Sequence, residues 1–186
     1  MKSASILLCT FIGIAAAGCG SNPAGNQAGA TANAAGPAAQ PAQAGGPSAL
    51  SNLTVDHQAL ENACLSPADA RRPLTDFSAE EKRTIVACAN REMVRQMEGQ
   101  MPIRIDQVTS LVALTSAGAT LTYNYRVEVD GATVTDQGRR QLEQSTRATV
   151  CGRPDMQQTM SLGGAYAYVW ADRAGRPIHA ILIDSC

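Results

Sequence analysis

His57 and His179 are the two histidines of the chain and the only side chains whose ordinary pKa lies near neutrality. A hydrolytic triad needs a nucleophile, a histidine and an acid brought together. Asp56 and Glu61 lie near His57, and Asp184 and Ser185 follow His179. Alternation along a strand, however, puts Asp184 on the opposite face from His179. Both histidines read as structural, and a hydrolase built on either is the weakest of three functional readings. Of six cysteines, Cys64, Cys88, Cys151 and Cys186 belong to the C-terminal part of the chain. No two of these are two or three residues apart, so neither a thioredoxin-like pair nor a zinc knuckle is available. The sequence calls for no metal and no cofactor.

The same four cysteines suit two structural disulfides. Of the three pairings open to them, Cys64–Cys88 and Cys151–Cys186 are favoured. The first would fasten an irregular N-terminal segment to the first helix, and the second would pin the end of the last strand to the helical region before it. A third group is aromatic: Tyr123, Tyr125, Tyr166, Tyr168 and Trp170. On two strands of one sheet these rings could form a surface that grips a glycan or a partner protein. The competing reading is that they pack beneath helices as core, which Leu121, Val127 and Val129 on the same face favour.

The N-terminus carries an address. Met1-Lys2-Ser3 is a short, positively charged start, and Ile6 to Ala17 is an apolar run broken by Thr10 and Gly13. That run is shorter than the roughly 20 residues a membrane-spanning helix needs and suits the hydrophobic segment of a signal peptide. Ala16-Ala17-Gly18-Cys19 closes it and resembles the lipobox of bacterial lipoproteins. The resemblance implies cleavage after residue 18 and a diacylglyceryl group on Cys19. It departs from the family at Ala16, where Leu is usual. Ala15-Ala16-Ala17 also fits an ordinary signal peptidase, which would release a soluble protein. Cysteine arithmetic favours lipidation: losing Cys9 and acylating Cys19 leaves the even set of four, whereas ordinary cleavage leaves five with one free thiol. By the same family analogy, Gly20 after the cysteine implies sorting to the outer rather than the inner membrane. Two or three acyl chains hold a protein on a bilayer stably where one does not.

Residues 19–51 then read as the acylated cysteine and a tether. From Gly20 to Ser51 the chain is Ala, Gly, Pro, Gln, Asn and Ser apart from Thr31 and Leu50, with no charge and almost nothing bulky, too apolar-poor to offset its ordering entropy. Its 31 residues between Cys19 and Ser51 span about 30 Å as a Gly-rich coil. Residues 52–186 form one domain. All 16 acidic residues lie there. With Lys2 set aside the basic residues number one fewer than the 15 of the full chain, giving a charge near −2. No basic block points to nucleic acid. Asn52-Leu53-Thr54 matches a glycosylation pattern that a bacterial export signal makes incidental, and Arg71-Arg72-Pro73 reads as a solvated turn.

The elements that would position these side chains are partly legible. Ser78 and Glu81 form a capping box, followed by Ile85, Ala89, Met93 and Met97 at helical spacing, with Val86 and Val94 beside them and a stop near Gly99 and Pro102. Residues 108–115 and 119–129 read as strands joined by a turn at Ser116-Ala117-Gly118. In the second, Leu121, Tyr123, Tyr125, Val127 and Val129 share one face. Residues 135–162 read as helical, interrupted at Gly152 and restarted at Pro154. Residues 165–171 and 177–184 flank Asp172-Arg173-Ala174-Gly175 as a closing hairpin. Gly118 to Tyr123 and Gly163 to Tyr168 echo each other. The expectation is an α+β domain in the order α-β-β-α-β-β, with an antiparallel sheet of about four strands and helices on one face. Functionally, the chain reads as a membrane-anchored envelope lipoprotein facing the periplasm. Its domain binds another protein as an inhibitor, immunity factor or assembly subunit, or alternatively binds peptidoglycan or another envelope glycan through the aromatic face.

Overall fold

The computed structural model describes residues 55–186. The signal peptide, Cys19, the tether and Asn52-Leu53-Thr54 lie outside the described residues. Four α-helices and five strands follow in the order α1 (His57–Cys64), α2 (Ala79–Met97), β1 (Ile103–Arg104), β2 (Thr109–Ala117), β3 (Thr120–Val127), α3 (Asp136–Cys151), α4 (Pro154–Ser161), β4 (Ala165–Ala171) and β5 (Pro177–Ile183).

Three of the four helices start where a side chain takes up a free amide, and the fourth starts at a proline. Asp56 accepts from the Ala59 amide at 2.9 Å, Thr135 accepts from the Gly138 amide at 3.1 Å, and Pro154 begins α4 without an amide to satisfy. At α2, Ser78 Oγ accepts from the Glu81 amide while Glu81 accepts from the Ser78 amide at 2.7 Å, the reciprocal arrangement expected from the sequence. The buried side of α2 is Val86, Asn90 and Met97, one residue round from the Ile85–Ala89 row. α1 is a correction, because its residues were expected to be irregular. Eight residues carry only Leu60 as a buried side chain, so the apolar period there is too short to read.

The sheet differs from expectation in two ways. It has five strands in the order β1-β2-β3-β4-β5, the extra one being the two-residue β1. Three of the four pairings are antiparallel, but β3 and β4 run parallel. The cause is the connection: α3 and α4 carry the chain back to the end of the sheet where β3 began, the crossover that parallel neighbours require. This also accounts for the echo, since Thr120 pairs with Ala165, Leu121 with Tyr166 and Tyr123 with Tyr168. The repeated segments lie side by side, in register.

One face of the sheet is core. Reading across strands, Leu111, Tyr125, Trp170 and His179 form one row, Leu114, Tyr123, Tyr168 and Ile181 a second, and Ser116, Leu121, Tyr166 and Ile183 a third. Leu111 and Leu114 reach the same face despite odd spacing because a bulge between Leu111 and Ala113 shifts the register. Met97, Val150, Met156 and Met160 from the helices close over these rows. The other face carries the rows Ala113, Asn124, Val169, Ala180 and Thr115, Thr122, Ala167, Leu182. Gly118 at φ 57° and Gly175 at φ 81° turn the β2–β3 and β4–β5 hairpins, a conformation that glycine adopts without steric cost.

Candidate functional site

The disulfides are those favoured from the sequence. Cys64 is bonded to Cys88 with Cα atoms 5.5 Å apart, joining α1 to α2. Cys151 is bonded to Cys186 at 5.6 Å, joining the last residue of α3 to the chain beyond β5. Polar contacts reinforce both. Gln96 on α2 accepts from the Asp56 amide at 2.8 Å, and Arg147 on α3 donates to the Ser185 carbonyl at 3.3 Å. Arg72 is not a solvated turn residue. It pairs with Asp69 and Glu81 at 3.1 and 3.2 Å, donates to the Asp76 carbonyl at 2.8 Å, and lies 4.1 Å over the Phe77 ring.

The five aromatic side chains do lie on adjacent strands of one sheet, and that face is the covered one. Tyr166, Tyr168 and Trp170 are buried, and Tyr123 and Tyr125 pack against them. Tyr123 stacks on Tyr168 at 5.1 Å, and Tyr125 on Trp170 at 5.9 Å. Rings in such stacks interact by roughly 0.5–1.5 kcal/mol beyond the area they bury. Burial pushes the Tyr125 phenol up to about 12 and raises the Tyr123, Tyr166 and Tyr168 phenols as well. All four tyrosines are held as neutral phenols, as core packing requires. The sequence could not separate the two uses of these rings, because alternation gives the face and not what covers it.

The histidines occupy different settings. His57 opens α1. His179 stacks against Trp170 at 6.3 Å and holds Nε2 3.6 Å from Glu143 Oε2 on α3. Asp184 and Ser185 hydrogen bond to one another at 3.1 Å beyond the end of β5. The structure therefore does not gather His179, Asp184 and Ser185 into a triad. Among the described residues, no group of three His, Cys, Asp or Glu side chains is placed to hold a metal ion, and no helix is long and apolar enough to cross a membrane.

The densest polar cluster escaped the sequence reading. Asp172, fully buried, accepts from the amides of Ala174 and Arg176 at 2.9 Å, from the Arg176 guanidinium at 2.8 Å, and from the Gly131 amide at 3.3 Å. Arg176 also reaches Asp130 at 2.9 Å. Burial works against the Asp172 carboxylate, but these donors outweigh it and hold its pKa down at about 2. The cluster ties the β4–β5 turn to the loop after β3. Its signal was the Asp-x-x-Gly turn, which names a loop without revealing a distant amide.

What remains accessible is the small-residue face and the edge of the sheet. Ala113, Thr115, Thr122, Ala167, Val169 and Ala180 give a flat surface on which Leu182 is 55 % exposed. A shallow cleft beside α2 and α4 is lined by Lys82, Arg83 and Leu162.

No family model matches the chain, and no curated protein does. Three solved structures are similar in part. A secreted protein of Pseudomonas aeruginosa has a TM-score of 0.49 at 14 % identity, covering 55 % of this chain and 92 % of that one. A pilotin of the Vibrio vulnificus type 2 secretion system has a TM-score of 0.48 at 12 % identity, over 56 % and 92 % of the two chains. A pilotin of the Vibrio cholerae type II secretion system has a TM-score of 0.46 at 15 % identity, over 57 % and 95 %. Likeness at this level does not assign the chain to a family. The class defined by the chain's own fold is a small α+β domain with two disulfides, helices on one sheet face and the other face open.

Proposed function

We propose that this chain is an envelope lipoprotein, acylated at Cys19 and facing the periplasm from the outer membrane, whose domain binds another protein without catalysis. The observation that carries the binding reading is the division of side chains between the two sheet faces. The aromatic rings are spent on core and the domain cysteines on staples. The Asp172 carboxylate is spent on a turn. What faces outward is a sheet surface of small and polar side chains centred on Asn124, Val169 and Leu182, with Arg104 and Arg126 on the row beside them. Such a surface suits shape-matched contact with another protein. It offers no exposed ring on which a sugar could stack, which removes the support for the glycan reading. The anchor rests on Ala16-Ala17-Gly18-Cys19, and two or three acyl chains would keep the domain at the membrane.

The test is crosslinking in intact cells, detergent extraction and identification of what co-purifies, with a Cys19→Ala form as control and metabolic labelling with palmitate in parallel. A single stoichiometric protein partner, weakened in the Cys19→Ala form, together with label that depends on Cys19, is the expected result. Recovery with cell-wall fragments, or of no partner, would refute the protein-binding reading, and palmitate labelling that survives Cys19→Ala would refute the anchor.

A further inference from the structure

The two edges of the sheet differ in how they discourage other strands. On one side β1 is two residues long and directly follows Pro102, and beyond it β2 is bent by the bulge between Leu111 and Ala113. Short, bent edges are poor templates for pairing. β5 has little such relief. It is seven residues long, and its sequence Pro-Ile-His-Ala-Ile-Leu-Ile contains no Asp, Glu, Lys or Arg. Pro177 and the bulge near Ala171 disturb only its start. From Ile178 to Ile183 it has high strand propensity, no proline and no glycine, the composition of a segment that readily adds strands.

What β5 has instead is α3, held along it at successive turns. Cys151, the last residue of α3, is bonded to Cys186 beyond β5. Arg147 donates to the Ser185 carbonyl at 3.3 Å, and Arg139 donates to the Ile178 carbonyl at 3.3 Å. Glu143 stands between them, 3.6 Å from His179. Residues 139, 143, 147 and 151 follow one another at the spacing of a single helical stripe. Both carbonyls lie outside the β4–β5 ladder. Ile178 is the residue that the bulge leaves without a partner on β4, and Ser185 lies past the last pair.

From this we infer that α3 is a strap that closes the β5 edge to other strands, fastened by its Arg139, Glu143, Arg147 and Cys151 stripe. A strand added beside β5 would set its inward side chains against Arg139, Glu143 and Arg147. It would also have to draw the two arginines off the carbonyls they occupy. Burying charged groups without partners is costly, so the helix supplies the charge that edge strands ordinarily carry themselves. β5 is thereby free to be apolar, with Ile178 and Ile183 in the core and Leu182 exposed. The strap goes beyond the protein-binding reading and stands without it. It also leaves the open face, rather than this edge, as the surface on which the sheet meets another protein. Confinement to a membrane raises local concentration, the condition under which an unguarded edge would pair.

Self-association of the purified full-length protein, followed by size-exclusion chromatography and thioflavin fluorescence, tests the strap. Arg139→Ala with Arg147→Ala should raise the associated fraction about tenfold, equivalent to some 1.4 kcal/mol. Arg139→Lys with Arg147→Lys keeps a donor for each carbonyl and should stay at the parent level. Leu182→Lys added to the double alanine variant places a charge in the edge strand itself and should return it to the parent level. Thr122→Lys, on the same face but in the middle of the sheet, should not. A double alanine variant as monomeric as the parent would overturn the inference. So would equal effects of Leu182→Lys and Thr122→Lys, because association would then come from general loosening of the fold and not from the edge. If the double variant does not fold, Arg147→Ala alone, whose carbonyl lies past the strand, gives the same readout with a smaller shift. None of these measurements reads capture of another protein, so their failure would leave the protein-binding reading standing.

Discussion

Removing Cys151–Cys186 by the paired change Cys151→Ala and Cys186→Ala should cost more stability than any ordinary surface substitution. The bond closes a loop with a sequence separation of 35, which on the chain-entropy model constrains the unfolded state by about 3.8 kcal/mol. Cys64–Cys88, with a separation of 24, comes to about 3.4 kcal/mol on the same model. The two loops do not overlap along the chain, so the effects should add to about 7 kcal/mol. That approaches the whole stability of an ordinary domain, roughly 5–15 kcal/mol. Urea unfolding followed by circular dichroism reads the effect directly. With a slope near 2 kcal/mol per molar, loss of Cys151–Cys186 alone should lower the midpoint by about 2 M. Loss of both should leave the chain largely unfolded in buffer. A midpoint shift below about 0.5 M for the first pair, with the slope unchanged, would refute the view that this staple constrains the unfolded chain.

Three further outcomes follow from the core and the turns. All four tyrosines have raised pKa values, Tyr125 to about 12, so burial favours the neutral phenol and stability is retained below the unfolded value of about 10. It is lost as pH rises beyond that, and absorbance at 295 nm should show less phenolate at about pH 10, the unfolded midpoint, than four free tyrosines would give unless the protein unfolds; ordinary titration of the native protein would contradict the packing. Asp172, with its pKa at about 2, stabilises the fold above the unfolded carboxylate pKa of about 3.9, and that contribution disappears as pH falls toward 2. Thermal melts of Asp172→Asn should therefore be less stable than the parent at neutral pH and converge with it in acid, a parallel pair of curves being the contrary result. Gly164→Ala should destabilise the α4–β4 turn, since a Cβ there would lie 2.7 Å from Thr159 Cγ2 and 2.9 Å from the Thr159 carbonyl oxygen; a melting temperature within error of the parent would show that the turn relaxes freely.

The sequence was most legible where one local signal sufficed. Ser78 and Glu81 announced α2, Pro154 announced α4, and the unbroken alternation from Leu121 to Val127 announced β3 and its inner face. It was silent where the outcome depended on distant partners. Nothing local distinguishes a parallel from an antiparallel neighbour, and the repeated glycine-to-tyrosine segments took their meaning only once they were found paired in register. α1 was missed because its single buried side chain, Leu60, leaves no period to detect. The aromatic set was placed on the right face, but whether that face is wet or dry depends on Met97, Val150, Met156 and Met160 arriving from three other helices. β5 shows the same limit, since an apolar run usually marks a strand covered on both faces, whereas this one lies at an edge with Leu182 exposed.

The division of labour between the two sheet faces is tested most directly by a photo-reactive side chain placed at one position on each face and irradiated in intact cells. At Thr122 on the open face, a discrete adduct with another protein is expected, present with Cys19 intact and weakened in Cys19→Ala. At Tyr168 no intermolecular adduct is expected, because that ring is enclosed by the domain's own helices. Protein adducts from Tyr168, or none from Thr122, would contradict the claim that this domain keeps its rings for its core and offers its small-residue face to a partner.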